Sequence, residues 1–485
     1  MNRKNLKRIE FGDFQTPDAL ALDICRHLHT LGVRPDAIIE PSCGKGAFVL
    51  AAAQVFDTAH TVLGCDINEA HLGTLRHRLA QHSCAARIQL ECLDFFTADW
   101  MKRTRALSGR LLVIGNFPWV TNAAQSVIGG ANLPEKSNFL GLGGFEAISG
   151  ASNFDISEWM LLETLRWLEK RGGDIAMLLK TSVARKVLAH AERLHIPIAQ
   201  ARTVAIDAKR HFGAAVDACL LALRVEPHAA PSYDCTVFSG LHEREGKTIG
   251  RRHGLAVSDL DVFDACSFLA GKSPQKWRSG VKHDAAAIME FTRSAAGYTN
   301  GLGETVQLED TCLFPLMKGS DIGSDKAWRN TFVLLTQRAV GADTRPLQTL
   351  APLTWNYLLA HAQRLDARAS TVYAKGPRFC IFGVGDYAFR PWRIAICSLY
   401  KALRFRLVAP IEGRPVMFDD TVYYLSFETE REARCTLAAL ENKHARALLS
   451  SLIFWDEKRP IKTAILNKLD YSRLSTASTA QSSLF

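Results

Sequence analysis

Four consecutive residues, Asn116-Phe117-Pro118-Trp119, bring together a side-chain amide, a peptide carbonyl held by a following proline, and a flat indole. An amide oxygen and a carbonyl oxygen can together accept both hydrogens of one exocyclic amino group. An indole can stack on the ring that carries that group. The tetrad is therefore suited to hold a flipped nucleobase by its amino nitrogen, the geometry that methylating this nitrogen requires. A strand followed by a proline turn would read the same way if the tetrad stood alone.

It does not stand alone, because the elements before it are those that would position it. An apolar run, Leu112-Val113-Ile114, predicts a strand that delivers the tetrad at its carboxyl end. Upstream, Ile38-Ile39 closes a short buried strand. Glu40 follows, then Gly44 and Gly46 in a tight turn, then a helix from Ala47. Strand, glycine turn and helix in this order resemble a nucleotide-binding βα unit. A second strand over 61–66 ends on Asp66, 20 residues beyond Gly46. There a carboxylate would meet ribose hydroxyls. A third strand over 88–92 is followed by Asp94-Phe95. Either aspartate by itself would read as a helix cap or a solvated turn; in strand–loop register ahead of the tetrad they read as a ligand site.

As a set these segments resemble the amino-methyltransferases of DNA, specifically the adenine-N6 enzymes of the gamma order. In that family a methionine-contacting segment comes first, then the glycine loop, the catalytic tetrad and a target-recognition domain. Residues 11–17, FGDFQTP, match the first segment, with Thr16 and Pro17 at its end. Glu40-Pro41-Ser42-Cys43-Gly44-Lys45-Gly46 match the glycine loop, Asp66 with Ile67 the ribose contact, Asp94-Phe95 the adenine contact, and Asn116-Phe117-Pro118-Trp119 the tetrad. The family usually carries proline where this chain has Phe117; the backbone carbonyl acts there, so a different side chain need not abolish it. The resemblance implies S-adenosyl-L-methionine as cofactor, double-stranded DNA as substrate and a role in restriction–modification. Phe212, ahead of Gly213, is the expected second aromatic against the extruded base. The motifs cover roughly the first 230 residues. Similar tetrads serve RNA adenine-N6, DNA cytosine-N4 and protein glutamine methylation. A catalytically silent DNA-recognition subunit is a further alternative.

The implied fold is α/β: a Rossmann-like class I methyltransferase domain over 1–228, then a mixed α/β target-recognition domain over 235–470 and a disordered tail over 471–485. Strands and helices alternate to about residue 225, which predicts a mostly parallel sheet with helices on both faces. Residues 122–153, rich in Gly, Asn and Ser, interrupt that rhythm just after the tetrad, and a long loop there is expected to contact DNA or cover the target base. The Pro-rich stretch 226–232 is the expected boundary. Beyond it, 371–389 and 421–427 look β-rich and 431–449 helical. Basic and aromatic residues interleave at Lys276-Trp277-Arg278, Lys375, Arg378-Phe379, Arg390, Trp392-Arg393, Tyr400-Lys401 and Arg404-Phe405-Arg406, a pattern suited to gripping phosphates and reading guanine edges.

Composition agrees with this class. The 485 residues are 47% hydrophobic and 22% charged, ordinary for globular domains, and the formal charge of +10 suits a polyanionic partner. No run of 18 or more apolar residues predicts a membrane span. Twelve cysteines, none spaced Cys-x-x-Cys, argue for reduced thiols in a cytoplasmic protein and against a metal site. No spaced carboxylates followed by lysine suggest a nuclease, so any cognate restriction endonuclease is expected as a separate chain.

Overall fold

Helix and strand alternate at the start of the chain because apolar runs of four to six residues alternate with segments of helical period. Helix α1 (Asp18–Thr30) places Leu20, Ala21, Ile24, Cys25 and Leu28 on one buried face. Strands β1 (Ala37–Glu40), β2 (Thr61–Asp66), β3 (Ile88–Cys92) and β4 (Leu111–Asn116) follow. Between them lie helices α2 (Ala47–Val55), α3 (Glu69–Leu79) and α4 (Trp100–Ala106). The computed structural model describes residues 15–80, 82, 84, 87–119 and 155–474, and divides the chain into two units, Met1–Ala256 and Val257–Phe485. The expectations for Phe11 to Phe14, for the loop 122–153 and for the tail beyond residue 474 lie outside the described residues.

The first unit continues with α5 (Ile156–Leu168), β5 (Gly173–Lys180), α6 (Thr181–Arg193), β6 (Ile198–Ile206), α7 (Ala208–Phe212), β7 (Ala218–Val225), β8 (Cys235–Phe238), β9 (Lys247–Arg252) and β10 (Leu255–Val257). One ten-stranded sheet runs β10-β9-β8-β6-β7-β5-β4-β1-β2-β3. The block β3-β2-β1-β4-β5 is parallel; β7 lies antiparallel to both β5 and β6. The chain leaves β1 toward β2 but leaves β4 toward β5, on the opposite side. This reversal opens a crevice at the carboxyl ends of β1 and β4, the place where open α/β sheets bind ligands. The strands flanking it are buried throughout, apart from the terminal Asn116 of β4. The core on one face joins Ile24, Phe48, Val49, Leu72, Leu75, Leu112, Ile114 and Leu178.

Two features differ from the sequence expectation. The sheet carries the expected parallel block but is mixed, because β7 lies antiparallel to β5 and β6 and β9 antiparallel to β8. The expected boundary at 228–235 falls inside the first unit: β8 pairs parallel to β6 and β9 pairs with β8, so the sheet continues past the Pro-rich stretch to Ala256. Prolines break the chain path there without ending the sheet.

The second unit contains two sheets. Strands β11 (Arg278–Ser279), β12 (Glu290–Ser294), β13 (Gly297–Asn300), β14 (Thr305–Val306), β15 (Leu313–Met317), β16 (Thr331–Leu334), β17 (Trp392–Cys397), β18 (Arg406–Val408), β19 (Met417–Phe418) and β20 (Val422–Phe427) form a six-stranded sheet β14-β13-β12-β16-β15-β19 and a four-stranded sheet β11-β20-β17-β18. The expected β-rich stretch 421–427 forms the strand Val422–Phe427. Residues 371–389 are not β-rich: they form a helical turn at Thr371–Ala374, a 3-10 turn at Asp386–Phe389 and one isolated bridge from Phe382 to Lys282. Gly376-Pro377, Gly383 and Gly385 in that stretch favour turns over a ladder. The helix expected over 431–449 is two helices, Glu430–Glu441 and Lys443–Ser451, broken at Asn442, whose side chain caps the second. The expected tail begins late, since Arg473 ion-pairs with Asp470 and donates to the carbonyls of Phe268 and Ala270. Among the described residues no helix is long and apolar enough to cross a membrane. All twelve cysteines are free thiols.

Candidate functional site

The glycine turn after β1 is built at positions whose left-handed backbone favours glycine. Gly46 has φ +82°, and a Cβ there would fall 2.2 Å from Leu75 Cδ1 of the buried α3 face. Gly44 has φ +52°, and its Cβ would meet the Gln15 amide at 2.7 Å. The loop is tied from three sides. Asp66 Oδ2 accepts from Gly44 N at 2.7 Å, and Gln15 Oε1 accepts from Lys45 N at 2.9 Å. Arg78 donates to the Lys45 carbonyl and to Asp18. Asp66 also accepts from Asn68 N at 2.8 Å, so the end of β2 and the glycine turn form one unit. Ile67, just after it, is 45% exposed, an apolar surface at the end of the strand.

Glu40 and Cys43 are buried in this turn, and Pro41 with them. Glu40 accepts one hydrogen bond, from Val49 N at 2.9 Å. Burial pushes its carboxyl well above the usual carboxylate range, outweighing that bond, and nearby Asp66 adds to the rise. Burial likewise raises the Cys43 thiol, which makes it a packing group rather than a nucleophile.

Asn116 stands at the carboxyl end of β4, in register with Leu178 of β5. Its Nδ2 donates to Thr16 Oγ1 at 3.3 Å, so the first segment of the chain reaches the tetrad. Gly115 leaves room for Glu40, whose Cγ would lie 3.4 Å from a Cβ there. Trp119 is buried; its indole N–H donates to the Leu178 carbonyl at 3.3 Å, and Lys180 Nζ donates to the Trp119 carbonyl at 3.2 Å. Pro118, between Phe117 and Trp119, is half-buried.

Phe117 points away from this crevice. It is 1% exposed and meets Phe95 edge-on at 5.7 Å. Phe95 also contacts Phe96, Trp100, Trp159 and Trp167, and Trp100 stacks on Trp167 at 4.7 Å. Phenylalanine at the second tetrad position thus answers to packing, worth roughly 2–3 kcal/mol for a buried ring. Sequence reading missed this cluster because its members come from four separate elements. Phe95 is its hub and is buried, while Asp94 uses Oδ1 to accept from Phe96 N at 2.9 Å.

Trp119 and Phe212 are brought together, 5.1 Å apart and at 65°. They touch each other edge to face. Two parallel walls around a base would stand about 7 Å apart, twice the stacking distance. Phe212 therefore packs Trp119 in place instead of forming an opposite wall. It also ends a short helix, α7, capped by Asp207. Gln15, Lys180 and Asp155 were not singled out from sequence. Gln15 sits inside the FGDFQTP segment and could have been; Lys180 and Asp155 carried no motif.

These residues fit a cofactor with a cationic centre, a ribose and a purine. The turn favours glycine, Asp66 offers a carboxylate beside it, and Ser42 Oγ is a buried hydroxyl with no hydrogen-bond partner among the described residues. Opposite in character are the basic–aromatic clusters of the second unit. Trp277 and Arg393 are interior; Arg393 donates to the carbonyls of Ala388, Arg390 and Trp392, and burial lowers its pKa to about 10. Arg378, Arg390 and Arg406 are paired with Asp366, Glu428 and Asp325. Lys276, Lys375, Lys401 and Arg404 remain exposed, outside any ion pair among the described residues, with exposed Tyr400 beside Lys401.

No family model matches the chain. It is 44% identical over 470 residues to the type II methyltransferase M.NspV of Nostoc sp. (strain ATCC 29411 / PCC 7524), across 96% of this chain and 98% of that protein. Its structure is similar to that of the type IIL restriction-modification enzyme MmeI, solved in complex with DNA, with a TM-score of 0.51 over 96% of this chain. At 13% identity that likeness concerns the fold, and this chain spans 65% of the MmeI chain. The matched span covers nearly the whole of both proteins, both units of this chain included. The chain belongs to the type II methyltransferases, the S-adenosylmethionine-dependent DNA methyltransferases of restriction–modification systems.

Proposed function

We propose that the chain methylates the N6 amino group of an adenine flipped out of double-stranded DNA, in the cytoplasm, as the protecting partner of a separate endonuclease. The observation that carries this reading is Asn116 at the mouth of the sheet crevice with its Nδ2 directed to Thr16. That bond turns the amide oxygen into the end that can accept from an amino group. The Phe117 carbonyl is the second acceptor, and Trp119 the stacking surface.

The glycine turn, Glu40, Pro41 and Cys43, Asp66 with Ile67, Asp94 with Phe95, and Thr16-Pro17 would hold S-adenosylmethionine. When bound, this cofactor supplies a methyl group on a sulfonium. Asn116 and Phe117 draw both amino hydrogens toward oxygen, which pulls the nitrogen lone pair out of ring conjugation. Positioning and hydrogen-bond electrostatics then account for most of the rate. Extruding the base is necessary because its amino nitrogen is otherwise engaged in pairing. Lys276, Lys375, Lys401 and Arg404 of the second unit are suited to phosphate contacts, and Phe212 acts by supporting Trp119.

The test is transfer of tritiated methyl to unmethylated plasmid DNA and, in parallel, to ribosomal RNA, with the products digested to nucleosides. Label in N6-methyldeoxyadenosine is expected. Label in N4-methyldeoxycytidine or only in RNA rejects the target, and no transfer at all indicates a recognition subunit.

A further inference from the structure

Strand β5 holds the tetrad at three points. Leu178 pairs with Asn116 in the ladder, and its carbonyl takes the Trp119 indole N–H. Two residues further on, on the same face of the strand because side chains alternate, Lys180 donates to the Trp119 carbonyl at 3.2 Å. The same ammonium lies 2.6 Å from Asp155 Oδ2, and that carboxylate side chain is only 6% exposed. Asp155 is itself fixed, since its Oδ1 accepts from Ser157 N at 3.1 Å and from Ser157 Oγ at 2.6 Å, capping α5. One cation therefore joins the last residue of the tetrad to the start of α5.

We infer that Lys180 is a positioning residue for the tetrad: anchored by Asp155, its ammonium fixes the Trp119 peptide and through it the indole on which the target base stacks. A hydrogen bond from an ammonium held by a buried carboxylate is stronger than one between neutral groups. It acts on the peptide that follows Trp119, one of the two planes that flank its Cα. Leu178 fixes the far end of the indole, so the two contacts together leave the ring one orientation. This inference rests on the tetrad reading above and deepens it.

The experiment compares Lys180→Met, Lys180→Arg and Asp155→Asn with the full-length enzyme, using tritium transfer to plasmid DNA, cofactor binding by calorimetry and thermal unfolding. Lys180→Met is expected to lower kcat roughly tenfold to a hundredfold, the scale for a reacting group displaced by up to about 1 Å. Cofactor affinity is expected to stay near wild type; the unfolding midpoint is expected to fall in Lys180→Met, where the buried Asp155 loses its partner, and to recover in the Asp155→Asn/Lys180→Met double variant while kcat stays low. Lys180→Arg, still able to donate to both oxygens, is expected to recover most of the rate. Asp155→Asn combined with Lys180→Met is expected to be no worse than Lys180→Met alone, because the two act as a unit. Wild-type kcat in Lys180→Met overturns the inference. So does a loss matched by an equal loss in cofactor affinity, or a kcat that recovers with the midpoint in the double variant, either of which marks a purely structural ion pair. Asn116→Ala serves as the control: full activity in that variant rejects the tetrad itself, whereas a dead Asn116→Ala beside an unaffected Lys180→Met rejects only the role of Lys180.

Discussion

The first sheet buries two carboxylates, Glu40 at the carboxyl end of β1 and Asp174 near the amino end of β5, and treats them in opposite ways. They are equally hidden, 3% and 4% exposed. Asp174 accepts from Arg110 Nε at 2.6 Å and Nη2 at 3.1 Å, and from Arg224 Nε at 3.0 Å. Nearby Arg171 donates to the carbonyls of Thr104, Leu107 and Gly109. At that end the buried carboxylate meets two guanidinium groups, although Arg171 Nε has no hydrogen-bond partner among the described residues. Glu40 has a single backbone N–H and, among the described residues, no cation. The lesson is one of division of labour within a layer: charge at one end closes the fold, while the other end leaves a costly acceptor beside a glycine turn. Proteins break local stability rules chiefly at functional sites.

The sharpest way to break this contrast is at the site end. Asn116→Ala is expected to lower methyl transfer by about two to three orders of magnitude, the scale for losing one transition-state hydrogen-bond partner. Its unfolding midpoint is expected to stay close to wild type. At the opposite end Asp174→Ala should do the reverse. Removing the carboxylate strands Arg110 and Arg224, and the expected loss is about 3 kcal/mol, toward the lower end for a broken buried pair because both arginines are partly exposed. Urea unfolding measures it, and kcat of the folded variant is expected to be unchanged. A variant pair in which Asn116→Ala costs stability, or Asp174→Ala costs turnover, erases the distinction between the two ends.

Much of the site end was legible in sequence because its constraints are local. The bounds of β2 and β3 follow from apolar spacing and end on the residues expected. Gly44 and Gly46 announced a turn whose backbone favours glycine. Asp66 announced the end of a strand, and the structure joins it to Gly44 across residues far apart in the chain. What stayed hidden depends on tertiary company. The aromatic hub at Phe95 explains Phe117 only once Trp100, Trp159 and Trp167 have converged on it. Phe212 was expected as a second wall against the base, and its edge-on contact with Trp119 depends on how α7 folds back over the tetrad. Basic–aromatic spacing in the second unit did not separate the buried Arg393 from the exposed Arg404, since both sit in similar words of sequence. The boundary was misplaced because a Pro-rich stretch looks the same whether the next strand joins the old sheet or a new one.

Glu40→Gln gives the smallest expected effect and the finest measure of the contrast. The folded carboxyl titrates well above its ordinary value, so above the ordinary carboxylate range the folded chain keeps a proton that the unfolded chain has released. Stability is then governed by the difference in bound protons, and it falls as pH rises through that interval, at most about 1.4 kcal/mol per pH unit for one group. Glutamine is neutral at every pH, and its side-chain oxygen can still accept from Val49 N. The substitution therefore removes the slope without removing the hydrogen bond. Unfolding free energies of the two proteins, measured in the absence of cofactor from pH 4 upward, are expected to agree at the acid end and to diverge as pH rises, with Glu40→Gln the more stable. Contributions from titrating groups that do not interact with Glu40 cancel in that difference. Parallel curves would mean that Glu40 is ionised in the fold, and the asymmetry between the two ends of the sheet would then lie in the partners of the two acids and not in their charge.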